Sequence, residues 1–84
     1  MEKQIHVSPR DSGLYLSYLR LGVVHFFQGG LDEAILWLEK ARRADPTFPP
    51  AHSFLAAAYG LNGDTARAAA ELAEFNEMAY LLAA

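Results

Sequence analysis

From Leu14 onward, apolar residues recur at the three- and four-residue spacing of helical faces, and no segment alternates apolar and polar residues as a half-buried strand would. Leu14, Tyr18, Leu21 and His25 share one face of a first predicted helix. Asp11 or Ser12 can cap its start. Gly29-Gly30 ends it, because glycine takes the left-handed conformation without a Cβ penalty. A second helix opens with Asp32 and Glu33, whose charge suits the positive end of the helix dipole. It carries Ala34, Ile35, Leu38 and Ala41 inward and finishes with Lys40, Arg42 and Arg43 near its negative end. The run Asp45-Pro46-Thr47-Phe48-Pro49-Pro50 stops that helix.

A third helix begins near Pro49 or Pro50, where proline fits a first turn, and runs through Phe54, Leu55, Ala58 and Tyr59. Asn62-Gly63 makes the next turn and Asp64 caps a last helix over about Thr65 to Leu82, rich in alanine, glutamate and leucine. The predicted fold class is all-α, with four helices in two antiparallel hairpins.

The two halves are copies in type. Shifted by 34 positions, Tyr18 falls on His52, Leu21 on Leu55, Gly22 on Ala56, His25 on Tyr59, Gly29 on Gly63, Ala34 on Ala68 and Leu38 on Leu72. Bulky meets bulky, small meets small, and turn glycine meets turn glycine. The boundaries that follow are a first hairpin over 11–48 and a second, with a long final helix, over 49–84. Glu2-Lys3-Gln4-Ile5-His6-Val7-Ser8-Pro9 echoes Glu39-Lys40-Ala41-Arg42-Arg43-Ala44-Asp45-Pro46, so residues 1–10 read as the tail of a preceding repeat or a flexible N-terminus. On this reading the chain is a segment of a longer array.

Composition narrows the function classes. With 52% hydrophobic and 20% charged residues the chain is not a disordered segment. A net charge of −3 leaves no basic stripe to neutralise phosphates, so no nucleic-acid partner is expected. There is no cysteine, which excludes disulfides and thiolate chemistry and agrees with a reducing, cytoplasmic setting. The first eleven residues are mostly polar, unlike a signal peptide, and the apolar run from Phe54 to Leu61 is far too short for a membrane span.

Candidate chemistry is sparse. His6, His25 and His52 are not spaced to share a metal, and His25 and His52 fill positions of aromatic type, which favours packed rings over ligands. Glu71, Glu74 and Glu77 read as a solvated stripe on the last helix. Ser8, Ser12, Ser17 and Ser53 lack a recognisable base and orienting carboxylate. Gly29-Gly30 lacks the Lys-Ser/Thr of a phosphate loop. No catalytic group, metal or cofactor is expected. Trp37, beside the inward Leu38, is expected either to pack against an adjoining repeat or to make partly exposed contacts.

The repeated residues resemble the tetratricopeptide repeat. The first unit supplies Tyr18, Leu21-Gly22, His25, Ala34, Leu38, Ala41 and Pro46, and the second His52, Leu55-Ala56, Tyr59, Ala68 and Leu72; Gly30-Leu31-Asp32-Glu33-Ala34-Ile35 carries the resemblance most closely. It covers about Tyr15 to Tyr80, with His25, Phe75 and Tyr80 departing from the pattern. Ser8-Pro9-Arg10-Asp11, Asp45 through His52 and Phe54 through Ala58 are further similar to the C-terminal repeat regions of bacterial adenylate cyclases and winged-helix transcription activators.

The resemblance implies a right-handed superhelical α-solenoid fragment whose inner surface holds a peptide or helix. It also implies close helix approach at Gly22, Ala34, Ala56 and Ala68. The implied inner-face residues are Leu16, Leu19, Arg20, Val23, Phe26 and Phe27 with Pro50, Ser53, Phe54, Ala57 and Leu61. Leu19, Val23, Pro50, Phe54 and Ala57 stand where chaperone-binding relatives place the polar clamp for a peptide carboxylate, so that ligand is disfavoured. So apolar a groove calls for a cover: a partner's helix, neighbouring domains of a larger regulator, or a second copy of the chain. The expected function is protein–protein interaction; the rival expectation is a spacer packed inside a regulator with no external ligand.

Overall fold

The computed structural model describes residues 13–83, so the expected cap at Asp11 or Ser12 and the segment 1–10 lie outside the described residues. Among those residues are four helices and no strand: α1 (Leu14–Phe27), α2 (Leu31–Ala44), α3 (Pro49–Leu61) and α4 (Thr65–Ala83). The starts of α2 and α4, and the ends of α1 and α3, are each 34 residues apart.

The two hairpin turns are built alike. Gly29 and Gly63 have φ of 84° and 86°, in the left-handed region. The Gly30 N–H donates to the His25 carbonyl at 2.8 Å, and the Asp64 N–H to the Tyr59 carbonyl at 2.8 Å. One residue earlier, Gly29 donates to Phe26 and Gly63 to Gly60. This is the Schellman pairing, which satisfies carbonyls a helix end would otherwise leave open. Each following helix then starts in the same register, Ala34 donating to Gly30 and Ala68 to Asp64. The Asp64 carboxylate accepts from the Arg67 N–H at 3.1 Å, the N-cap expected of it.

The linker between hairpins is held differently. Asp45 folds back on Thr47, accepting from its N–H at 3.2 Å and its hydroxyl at 2.7 Å. Pro49 and Pro50 occupy the first turn of α3, where a missing N–H costs nothing.

Tight turns make α1–α2 and α3–α4 antiparallel pairs. Contacts agree: Tyr18 lies under the Lys40 ammonium at 6.0 Å while Gly22, one turn on, abuts Leu38, and Gly60 approaches Ala68 while His52 meets Glu71. The hairpins then pack through α2 against α3. Ala34, Leu38, Leu55, Ala58 and Tyr59 form the buried core, with Leu38 and Leu55 wholly enclosed; each such leucine contributes about 1.5–3 kcal/mol. The close approach expected at Gly22 is real, since a Cβ there would lie 2.6 Å from Leu38 Cγ.

Three leucines of the periodic and repeated pattern are left open to water. Leu14 and Leu21 on α1 are exposed, and so is Leu72 on α4, although Leu55 and Leu38, their counterparts to Leu21 and Leu72, are fully buried. The reason is position in the stack. Leu55 has α2 across from it and Leu38 has α3, whereas the same faces of α1 and α4 lie on the outside of the pair.

Candidate protein-binding face

α1 and α3 lie side by side and bring most of the expected groove residues together. Phe26 on α1 meets Phe54 on α3 edge-on, ring centroids 5.9 Å apart, and Phe27 sets its ring edge-on to Phe26 at 5.3 Å. Phe26, Phe54 and Leu19 are half-buried and lean on the core. Phe27 and Leu61 occupy equivalent places at the ends of their helices, and both are largely open, at 75% and 68% exposure. Leu16, Arg20 and Ala57 are exposed, Val23 and Pro50 half-buried. The Ser53 hydroxyl turns back on its own helix and donates to the Pro50 carbonyl at 3.1 Å. The face is therefore an aromatic seam continuous with the core, flanked by two free hydrophobic side chains. It carries little hydrogen-bonding capacity beyond Arg20.

The opposite side of the molecule holds a polar cluster that spacing alone did not reveal. Glu71, expected on a solvated stripe, is buried at 6% exposure; only Glu74 and Glu77 face water. Its carboxylate is taken by two partners from two other helices: the Arg42 guanidinium of α2 and, at 2.7 Å, Nδ1 of His52 on α3. The second ring nitrogen of His52, Nε2, lies 2.7 Å from the Pro46 carbonyl in the linker. His52 is thus buried as expected, but as a polar tie between α4 and the linker and not as a simple aromatic. The signal available was register: Glu71 stands 34 residues after Trp37, a position already on the packed side of the second helix.

Beside it, the Tyr59 hydroxyl donates to Glu39 of α2, and the Arg67 guanidinium of α4 lies over the Tyr59 ring at 5.7 Å. Burial, then the hydrogen bond to Glu39 and that carboxylate's charge, push the Tyr59 hydroxyl above the ordinary tyrosine value. These ties span α2, α3 and α4 and fix how the second hairpin sits on the first. They look structural, since every polar atom named faces a partner from this same chain.

Trp37 is partly exposed, as the second of its two expectations has it. It is half-buried against its own hairpin, stacked on Tyr18 at 6.0 Å with the Lys40 ammonium 4.9 Å from its ring. Among the described residues no three His, Asp or Glu side chains converge on a point where a metal could sit, and no helix is long and apolar enough to cross a membrane. A scan against protein-family models and searches of curated proteins and of solved structures give no match to this chain.

Proposed function

We propose that this chain is a pair of tetratricopeptide-type hairpins, part of a right-handed solenoid, that acts as a protein-interaction module without catalytic activity of its own. The ligand is an amphipathic helix or extended apolar peptide laid across α1 and α3. The observation that carries this reading is the open aromatic seam: Phe27 and Leu61 exposed at matching helix ends, beside Phe26 and Phe54. Large side chains left in water on a face continuous with the core gain free energy when a partner covers them, at about 25 cal/mol per Å². The near absence of charge on the face favours an apolar ligand over a carboxylate-terminated peptide.

The test is selection of helical peptides from a displayed library against the intact chain, followed by affinity measurement on two variants. Phe27→Glu should weaken the selected peptides at least ~tenfold, as expected for losing a buried aromatic anchor, with helicity unchanged. Leu36→Glu, on the exposed side of α2, should bind as the parent does. Peptides that ignore Phe27→Glu, or the failure of any selection, would favour the rival reading of a spacer that packs within a larger regulator.

A further inference from the structure

The 34-residue register relates more than the two hairpins; it relates the inner junction to the two outer faces. At the junction α2 offers Leu38 and Ala41, and α3 offers Leu55 and Ala58, all fully buried. Adding 34 to the α2 residues gives Leu72, 49% exposed, and the half-buried Phe75 on α4. Subtracting 34 from the α3 residues gives Leu21 and Val24 on α1, 40% and 50% exposed. The outer face of α4 is therefore an unfilled copy of the α2 side of the junction, and the outer face of α1 an unfilled copy of the α3 side. Each pair keeps apolar character where the inner one is sealed.

Charge agrees independently. Within the molecule Arg43 of α2 and Glu74 of α4 border one cleft beside the junction. Moved outward by the same register, that pair becomes Glu77 on α4 and Lys40 on α2, again of opposite sign, with Glu77 exposed and Lys40 half-buried. The inner ties of Arg42 and His52 to Glu71 are not reproduced, because their counterparts are Asn76, Tyr18 and Trp37. The outer contact keeps the apolar match and one pairing of opposite charges but lacks the buried polar lock.

We propose that copies of this chain associate head to tail, the α4 face of one copy seated on the α1 face of the next in the geometry that joins α2 to α3. The occupant is a second copy and the contact is heterologous, so association continues beyond a dimer. It is weaker than the inner junction and reversible, for want of the polar lock. This inference does not rest on the binding role given to the α1–α3 seam, which stays open on the side of the stack.

Sedimentation of the full chain across a wide concentration range tests it. The parent should show an average mass that climbs past that of a dimer. Leu21→Glu and Leu72→Glu, each helical by circular dichroism, should each stay monomeric, yet mixed one to one they should form a dimer and stop, since each keeps the face the other has lost. Lys40→Glu should weaken association about tenfold, the scale of one rim charge pair reversed, and Lys40→Glu with Glu77→Lys should restore it. A parent that stays monomeric throughout overturns the proposal. So does a closed dimer that survives both single substitutions, or a mixture of the two variants that does not pair. Phe27→Glu should leave all of this unchanged, which separates its failure from that of the binding reading.

Discussion

At position 22 even one carbon is too many. A Cβ would stand 2.6 Å and 2.7 Å from two side-chain atoms of Leu38, which is itself fully buried in a close-packed core. Gly22→Leu should therefore lower the unfolding free energy by about 1–3 kcal/mol despite leucine's better helix propensity; an unchanged denaturation midpoint would contradict the packing described. Tyr59 gives a second test at this scale. Its folded hydroxyl holds its proton to higher pH than the unfolded chain's, near 10. The unfolded state thus releases the proton first and gains from alkali, so this contribution to stability is whole below pH ~10 and fades as pH rises through the folded value. Tyr59→Phe should show a shallower loss of stability above pH ~10 than the parent, measured by denaturant unfolding. Equal alkaline slopes would mean that Glu39 and burial do not act on this group.

Among the elements, the hairpin turns were the most legible in sequence. Gly29 and Gly63 announce them because only glycine takes a positive φ cheaply, and nothing lies within 4 Å of where a Cβ would be at either. Alanine at either position is therefore penalised by backbone conformation alone, about 1–2 kcal/mol. Because the hydrogen bonding of the two turns coincides, Gly29→Ala and Gly63→Ala should cost nearly the same by equilibrium unfolding. A large difference would show that the turns are not equivalent. Helix faces were less legible. Periodicity groups Leu14 and Leu21 with Tyr18, yet whether a leucine is covered depends on which helix lies beyond it, information not local to the helix. The same reason hid Glu71: a carboxylate on an alanine-rich helix reads as solvated until Arg42 and His52, 29 and 19 residues away, are brought to it.

For the whole molecule, α1 explains why two surfaces compete for attention. Leu14, Leu16, Leu21, Val24 and Phe27 are all exposed and cover the half of α1 turned away from its packed side, more apolar surface than one inward stripe needs. One side, with α3, makes the aromatic seam; another repeats the junction register. The seam was legible in part. Phe26, Phe27 and Phe54 are named from sequence and lie together, with Leu61 exposed at the matching helix end, whereas Ser53 is tied to its own helix and Leu19 serves the core as much as the surface. What fills the seam depends on shape and partner chemistry that no single sequence encodes. The most direct measurement is an amide-resolved NMR titration of the intact chain with a peptide selected against it. Shifts concentrated at Val23, Phe26, Phe27, Phe54, Ala57 and Leu61 are the predicted result, and shifts centred on α2 around Leu36 or on the outer face of α4 around Leu72 would contradict it.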